Sequence, residues 1–435
     1  MSLQIGLNPI FDGMAPSPTL HINQAVASMW SAGETVYHMG FGESRFPVHP
    51  LLERALNEHA HTKSYLPALG LAELRDAVAR YYSQHLGVTF RSDQVIVGPG
   101  SKALIYALQM SLQAQLFLPS PSWVSYAPQA QLLGKPVTYI PSQVDGGYQL
   151  NLTALDRMIP DPSVSQSLLI INSPNNPTGQ MLDRGFLLEL AEFCRERGLL
   201  VISDEIYFRV DHGDEPHVSL ARFYPEGTFV LGGLSKHLSL GGWRFGVALV
   251  PDSEQGMATL DAMEIIASEI WSAVAAPVQH AAITAYSGTP EIEQYIVDCS
   301  IIHGRRTRFL AEELGRIGFT CTTPHGGFYL TANCNRWAGK LASRDVNTSA
   351  DLAMYLLENH HIASLPCDAF GLPPETLSLR LATSYLDMET DRKAETLLNL
   401  YRGGINPDAF MNEAHHPNTH ACLAAFKQFA DSLKQ

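Results

Sequence analysis

Four side chains with chemistry to offer follow short apolar runs. Asn176 comes after Leu168–Asn172, Asp204 and Tyr207 after Leu199–Ser203, and Lys236 after Thr228–Leu231. The runs read as strands of a largely parallel sheet, and ligands of open α/β sheets bind beyond the carboxyl ends of the strands. Three strands that deliver an amide, a carboxylate with a phenol, and an amine therefore predict one shared site, able to bind a polar ligand and to move protons on it.

A second pattern supplies a place for an anion. Val95-Ile-Val-Gly98-Pro-Gly100-Ser101-Lys102-Ala103 reads as a strand, a glycine-rich turn and a helix over Ala103–Ser111. Backbone N–H groups at such a helix start, with the positive end of its dipole, form an anion cradle. Gly98, Gly100 and Ala103 also match the dinucleotide fingerprint GxGxxA, which calls for an acidic residue about 20 positions later. No Asp or Glu occurs between Asp93 and Asp145, so a phosphate without a ribose is expected. There is no GxxxxGK[ST] pattern.

The elements that must position these groups follow from the rest of the chain. Its 435 residues exceed one ordinary core, and the prior is two or three domains or one large enzyme-like unit with a satellite domain. A net charge of −14 argues against nucleic acid or an anionic membrane as the main partner. The six cysteines are scattered, with no CxxC pair, as in a reduced cytoplasmic protein. Neither a secretory signal nor an apolar run long enough to span a bilayer is read, so a cytoplasmic protein is expected. Residues 1–20 read as an arm rich in turn formers, followed by a short helix carrying Ile22, Val26, Met29 and Trp30. Between the first two site strands, Phe186, Leu187, Leu190, Ala191 and Cys194 mark a helix that Gly198 stops. Past Arg402, His415, His416 and His420 invite a metal reading, but Pro417 and the lack of cysteine ligand spacing favour a solvated linker. A last helix would carry Leu423, Phe426, Ala430 and Leu433.

Taken together, Ser173-Pro-Asn-Asn-Pro-Thr-Gly179, Ser203-Asp-Glu-Ile-Tyr207 and Gly233-Leu-Ser-Lys-His-Leu-Ser-Leu-Gly-Gly-Trp-Arg-Phe-Gly246 resemble the signatures of the class I/II aminotransferases, pyridoxal-phosphate enzymes of the aspartate aminotransferase fold. Gly40–Pro47, Tyr65–Arg75, Gly326–Tyr329, Pro366–Gly371 and Leu379–Ala382 extend the resemblance from about Gly40 to about Arg402. It implies a fold-type I α/β architecture, with a mostly parallel seven-stranded sheet flanked by helices and a smaller α+β domain built from both chain ends. The expected division is an arm and part of the small domain over 1–50, the cofactor domain over 51–290, the small domain over 291–403 and a helical extension over 404–435.

The resemblance also implies roles. Lys236 would form the Schiff base with the cofactor aldehyde and, once displaced by an amino acid, remove its Cα proton. Asp204 would pair with the pyridinium nitrogen, and Tyr207 and Asn176 would donate to the ring oxygen. Arg244 would take the phosphate with Ser235 and the backbone of Gly100, Ser101 and Lys102. Trp123 would stack on the ring, and Tyr65 would reach the phosphate of a neighbouring subunit, which implies a homodimer. Arg380 would clamp the substrate carboxylate, approached also by the backbone of Gly42. Phe245 and Cys367-Asp368 depart from the usual family residues. Trp271–Gln279 offers no cation for a distal carboxylate, which favours neutral or aromatic amino acids, with Arg45 the other source of such a charge. A ping-pong transfer from an L-amino acid to a 2-oxo acid is expected. Decarboxylation and C–S β-elimination are the alternatives on this scaffold, and a non-catalytic or regulatory role is disfavoured because Lys236 and Arg380 are both present.

Overall fold

The computed structural model describes residues 6–143 and 147–434; the first five residues of the expected arm, Asp145 and the last residue lie outside that range. The central sheet runs Val95–Gly98, Gly246–Leu249, Thr228–Gly233, Leu200–Asp204, Gln166–Asn172, Ala114–Ser120 and Val137–Gln143. These are the seven strands expected. An eighth, the two-residue strand Gln149–Leu150, joins antiparallel to Val137–Gln143. Only Gly246–Leu249 runs against its neighbours within the seven. Its reversal returns the chain between Gly233 and Gly246 to one edge, so Lys236 and Arg244 emerge at the same end as the turn after Gly98.

Helices cover both faces because the inner strands are buried almost throughout and mostly apolar, as parallel strands buried on both sides must be. The helix Arg184–Arg197 joins Gln166–Asn172 to Leu200–Asp204; Asp183 caps it by accepting from the Phe186 N–H at 2.9 Å. A smaller antiparallel sheet is ordered Thr320–Cys321, Tyr329–Asn333, Ser378–Ala382, Leu365–Pro366. The 28-residue helix Pro290–Ile317, about 42 Å long, joins the two parts. Ile292, Tyr295 and Ile302 enter the large core, and Leu310 and Leu314 enter the small one.

The chain beyond residue 390 visits both cores. The helix Asp391–Arg402, with Phe410 and Met411, packs with Phe46, Leu52 and Tyr295. The helix Pro417–Ser432 then buries Cys422, Phe426 and Phe429 against Leu330, Leu379 and Leu381. This overturns the expectation of a solvated histidine linker. His416 is fully buried beside the Phe410 ring, and the His420 ring nitrogen Nε2 bonds the Met411 carbonyl. A local reading could not see that two aromatic cores flank the segment. Among the described residues no group of three or more His, Cys, Asp or Glu could hold a metal, and no helix is long and apolar enough to cross a membrane.

The terminal helix depends on one carboxylate. Buried Asp387 accepts from the N–H groups of Asn418 (2.8 Å) and Thr419 (3.0 Å) and from the Thr419 hydroxyl (2.6 Å), satisfying donors the first helical turn leaves open. Asp387→Ala is expected to lower stability by about 2 kcal/mol, read as a drop in the urea midpoint.

Candidate functional site

The carboxyl ends of the central strands, the turn after Gly98 and the inner strand of the small sheet enclose a cavity of about 400 Å³. Gly42, Ser101, Lys102, Trp123, Asn176, Asp204, Tyr207, Ser235, Lys236, Arg244 and Arg380 all line it. Gly100, the residue before the helix Ser101–Ser111, stands behind Arg244. Its φ is +91°, and a Cβ there would lie 2.3 Å from the Arg244 guanidinium, so glycine is required on both counts. Tyr65 is the exception. It is 92% exposed and does not line the cavity of its own chain.

Asp204 ends its strand with the carboxylate turned inward. Oδ2 accepts from the Tyr126 hydroxyl at 2.6 Å and Oδ1 from the Ile206 N–H at 3.2 Å. Burial raises its pKa from 3.8 to about 6, against the opposing pull of the Tyr126 hydrogen bond. Asn172, paired with Asp204 across the strands, donates to the Asp204 carbonyl and accepts the Asn176 N–H, which fixes the turn. The Asn176 side-chain oxygen is buried without a partner.

Lys236 Nζ donates to the Gly42 carbonyl at 2.8 Å, and Tyr329 donates to the same oxygen at 3.1 Å. The Tyr207 and Tyr329 hydroxyls are 2.9 Å apart. Burial, then the Tyr329 and Asp204 neighbours, push the Tyr207 pKa far up, so Tyr207 remains a neutral phenol. Gly42 is held so closely that an added Cβ would lie 2.4 Å from the Tyr329 hydroxyl and 3.1 Å from an Arg380 nitrogen. Lys102 Nζ lies 5.0 Å from the Trp123 ring centroid, and desolvation, then Arg244 and Lys236, lower its pKa.

Arg380 is only 2% exposed. One nitrogen donates to the Gly40 carbonyl, Nε has no partner, and the guanidinium lies 4.8 Å from the Tyr329 ring centroid and 5.6 Å from that of Phe370. Among the described residues no carboxylate forms an ion pair with it. A buried cation left this way carries a desolvation cost that an anionic partner would offset.

Sequence reasoning gave no role to Tyr126, Asn172, Tyr329 or the arm residues Ser17, Thr19 and Leu20, all of which line the cavity. Tyr126 stands three residues after Trp123, and its ring meets that indole edge-on at 5.2 Å. Tyr329 ends a quoted motif. For the arm no local signal exists, because its approach to the cavity is tertiary.

The fold and the amine, acid and arginines at its strand ends define the class of α/β enzymes that carry pyridoxal phosphate. The description aminotransferase class I and II matches residues 35–396. The chain is 34% identical over 388 residues to an aspartate aminotransferase of Geobacillus stearothermophilus, covering 87% of this chain and 94% of that one. It is 32% identical over 381 residues to the aspartate aminotransferase of Bacillus subtilis (strain 168), covering 85% and 93%. The structure of Thermus thermophilus aspartate aminotransferase with maleate superposes with a TM-score of 0.79 at 25% identity, covering 92% and 99%. The chain thus belongs to the class I and II aminotransferase family and is a pyridoxal-phosphate-dependent aminotransferase.

The raised pKa of Asp204 carries a prediction for protein stripped of cofactor. Between pH 4 and 6 the folded chain keeps a proton that the unfolded chain releases near 3.8, so stability falls as pH rises through this window. The contribution of this group is about 3 kcal/mol. In Asp204→Asn this component should vanish from the urea midpoint measured across the window.

Proposed function

We propose that this aminotransferase moves the amino group of a neutral or aromatic L-amino acid to a 2-oxo acid, the two half-reactions alternating in ping-pong order. The observation that carries the reading is the buried Arg380, whose guanidinium suits the α-carboxylate that every such substrate shares. The remaining residues fit the cofactor. The glycine cradle leaves room for Arg244 to fork onto a phosphate beside Ser101 and Ser235, with the backbone N–H groups of Ser101 and Lys102 completing the contact, whereas the expected Gly100 N–H is taken by the Gly98 carbonyl at 2.7 Å. The NH2 group of Asn176 and the neutral Tyr207 phenol suit a ring oxygen as donors, and Trp123 suits the ring face. Asp204, held between Tyr126 and the Ile206 N–H, would meet a protonated ring nitrogen, whose charge would draw its pKa back down.

When bound, the cofactor supplies the electron sink that makes a Cα proton removable. Lys236 Nζ takes that proton and returns it, and the Gly42 carbonyl accepts a hydrogen bond from the ammonium meanwhile. Tyr65, almost wholly exposed on one subunit, is proposed to complete the phosphate site of a second copy, making the working enzyme a homodimer.

The side-chain preference rests on the apolar part of the cavity lining. Leu20, Phe41 and Val124 line it. Arg45, the other candidate for a distal carboxylate, is engaged by Glu43 at 3.2 Å and by the Glu389 carbonyl at 3.1 Å. A dicarboxylate reading has two observations in its favour: the Lys102 ammonium lines the cavity and makes no ion pair among the described residues, and the relatives named above are aspartate aminotransferases.

Mixing the holoenzyme with single amino acids and measuring 2-oxo acid release separates these readings. Leucine or phenylalanine is expected to surpass aspartate by at least about tenfold in kcat/KM; the reverse order would establish the dicarboxylate reading. Lys236→Ala should lose the lysine-dependent visible band and nearly all turnover. Arg380→Gln should reduce kcat/KM by about 100-fold or more while the band remains.

A further inference from the structure

Behind the cavity, side-chain hydrogen bonds join three pieces of the chain that are remote in sequence. Ser44, buried two residues after Gly42, has its Oγ 2.7 Å from Oγ of Ser239 and 3.0 Å from Nε2 of His303. Ser239 is the third residue after Lys236. Its φ of +58° is a left-handed conformation that serine adopts only at a cost, and its N–H reaches the Lys236 carbonyl at 3.4 Å. His303, on the helix Pro290–Ile317, is wedged between Phe46 and Phe328 at centroid distances of 5.1 and 4.9 Å. Burial, then the charge of Arg306, hold its pKa well below the ordinary value, so the ring is a neutral member of the chain.

These contacts lie where the reacting amine needs an anchor. Lys236 Nζ donates to the Gly42 carbonyl, yet among the described residues no backbone hydrogen bond ties 42–45 to 236–241. The hydroxyl pair Ser44–Ser239 makes a side-chain tie between the two turns, and His303 braces it from the helix that spans both cores. A misplacement of about 1 Å at a reacting group costs up to about 100-fold in rate.

We propose that Ser44 is a positioning residue: through Ser239 and His303 it holds the Gly42 carbonyl at hydrogen-bonding distance from Lys236 Nζ, so that the amine keeps a fixed acceptor while it carries the substrate's Cα proton. This rests on the transfer reading above, but the geometry it explains belongs to the lysine turn itself. Because the hydroxyl lies behind the cavity wall, its loss should act on the motion of the lysine and not on the affinity of the site for its ligands.

The test compares holoenzyme carrying Ser44→Ala, Ser44→Thr, Ser239→Ala and the Ser44→Ala/Ser239→Ala pair. Ser44→Ala is expected to keep cofactor affinity and KM within about twofold, while kcat and the rate of Cα hydrogen exchange into heavy water both fall about tenfold. Ser44→Thr should recover most of the loss, and the double variant should be no slower than the worse single one, since both remove the same tie. A separate readout is the growth of the visible band when cofactor-free protein captures pyridoxal phosphate on Lys236, which should slow in Ser44→Ala. Unchanged kcat and exchange, losses that multiply in the double variant, or a fall in cofactor affinity large enough to account for the rate would each overturn the proposal. Should wild-type enzyme release no 2-oxo acid from any amino acid, the transfer reading fails, while the capture rate still reports on the tie.

Discussion

A guanidinium stripped of water and left without a carboxylate is the constraint around which the two parts of this protein are arranged. Arg380 projects from the small sheet, and its partners come from within and outside it: the ring of Tyr329 on the neighbouring strand, the Gly40 carbonyl from the amino-terminal chain and the ring of Phe370. Burying such a charge costs several kcal/mol unless something answers it. The aromatic faces and the carbonyl answer part of it, and the partnerless Nε leaves the rest for a ligand. Much of the surrounding geometry follows from this. Gly42 must lack a side chain because the Arg380 and Tyr329 head groups already occupy that space. The Gly42 carbonyl then lies at the meeting point of Tyr329 from the small sheet and Lys236 from the large one.

The large sheet gathers cations of its own. Reversal of Gly246–Leu249 brings Arg244 back to the edge at which Lys236 leaves, and the register Gly98 to Gly246 sets the helix start Ser101 beside it. One topological feature thus gathers an amine, a guanidinium and the N–H groups of a helix start at one place, in a chain whose net charge is −14. Local cations placed at the site substitute for a long-range positive field.

How much of this could be read from residues alone depended on whether the signal was local. Asp204, Tyr207 and Lys236 are legible because each stands directly after an apolar run, and the run itself announces the strand end. The seven strands are legible for the same reason, whereas the two-residue strand Gln149–Leu150 is too short to carry a pattern. Tyr126 pairs with Asp204 across 78 positions, and Ser44 meets His303 across 259, and no spacing rule spans such distances. His416 shows the opposite failure: a segment rich in histidine and proline has the composition of a solvated turn, and only the arrival of Phe410 beside it makes the ring part of a core. Tyr65 is legible as a motif residue, while its exposure on the single chain is a property of three-dimensional placement.

The register of Ser378–Ala382 shows why the distant carboxyl-terminal helix matters to the site. Side chains alternate along a strand, so Leu379 and Leu381 enter the small core while Arg380 faces the cavity. A slip of one residue would bury the charge among leucines and turn the leucines toward the ligand. Two hydrogen-bonded neighbours hold the strand, Tyr329–Asn333 on one side and Leu365–Pro366 on the other. At its end further hydrogen bonds stitch the chain in place. The Ala382 N–H reaches the Met39 carbonyl at 2.7 Å and the Thr383 N–H the Phe328 carbonyl at 2.9 Å, and Arg306 donates to the carbonyls of Thr383 and Leu386. Asp387 then caps the terminal helix, whose Phe426 and Phe429 close the core on which the leucines rest. The last helix therefore bears on the cavity through strand register, because the leucines it covers are what keep Arg380 on the other face.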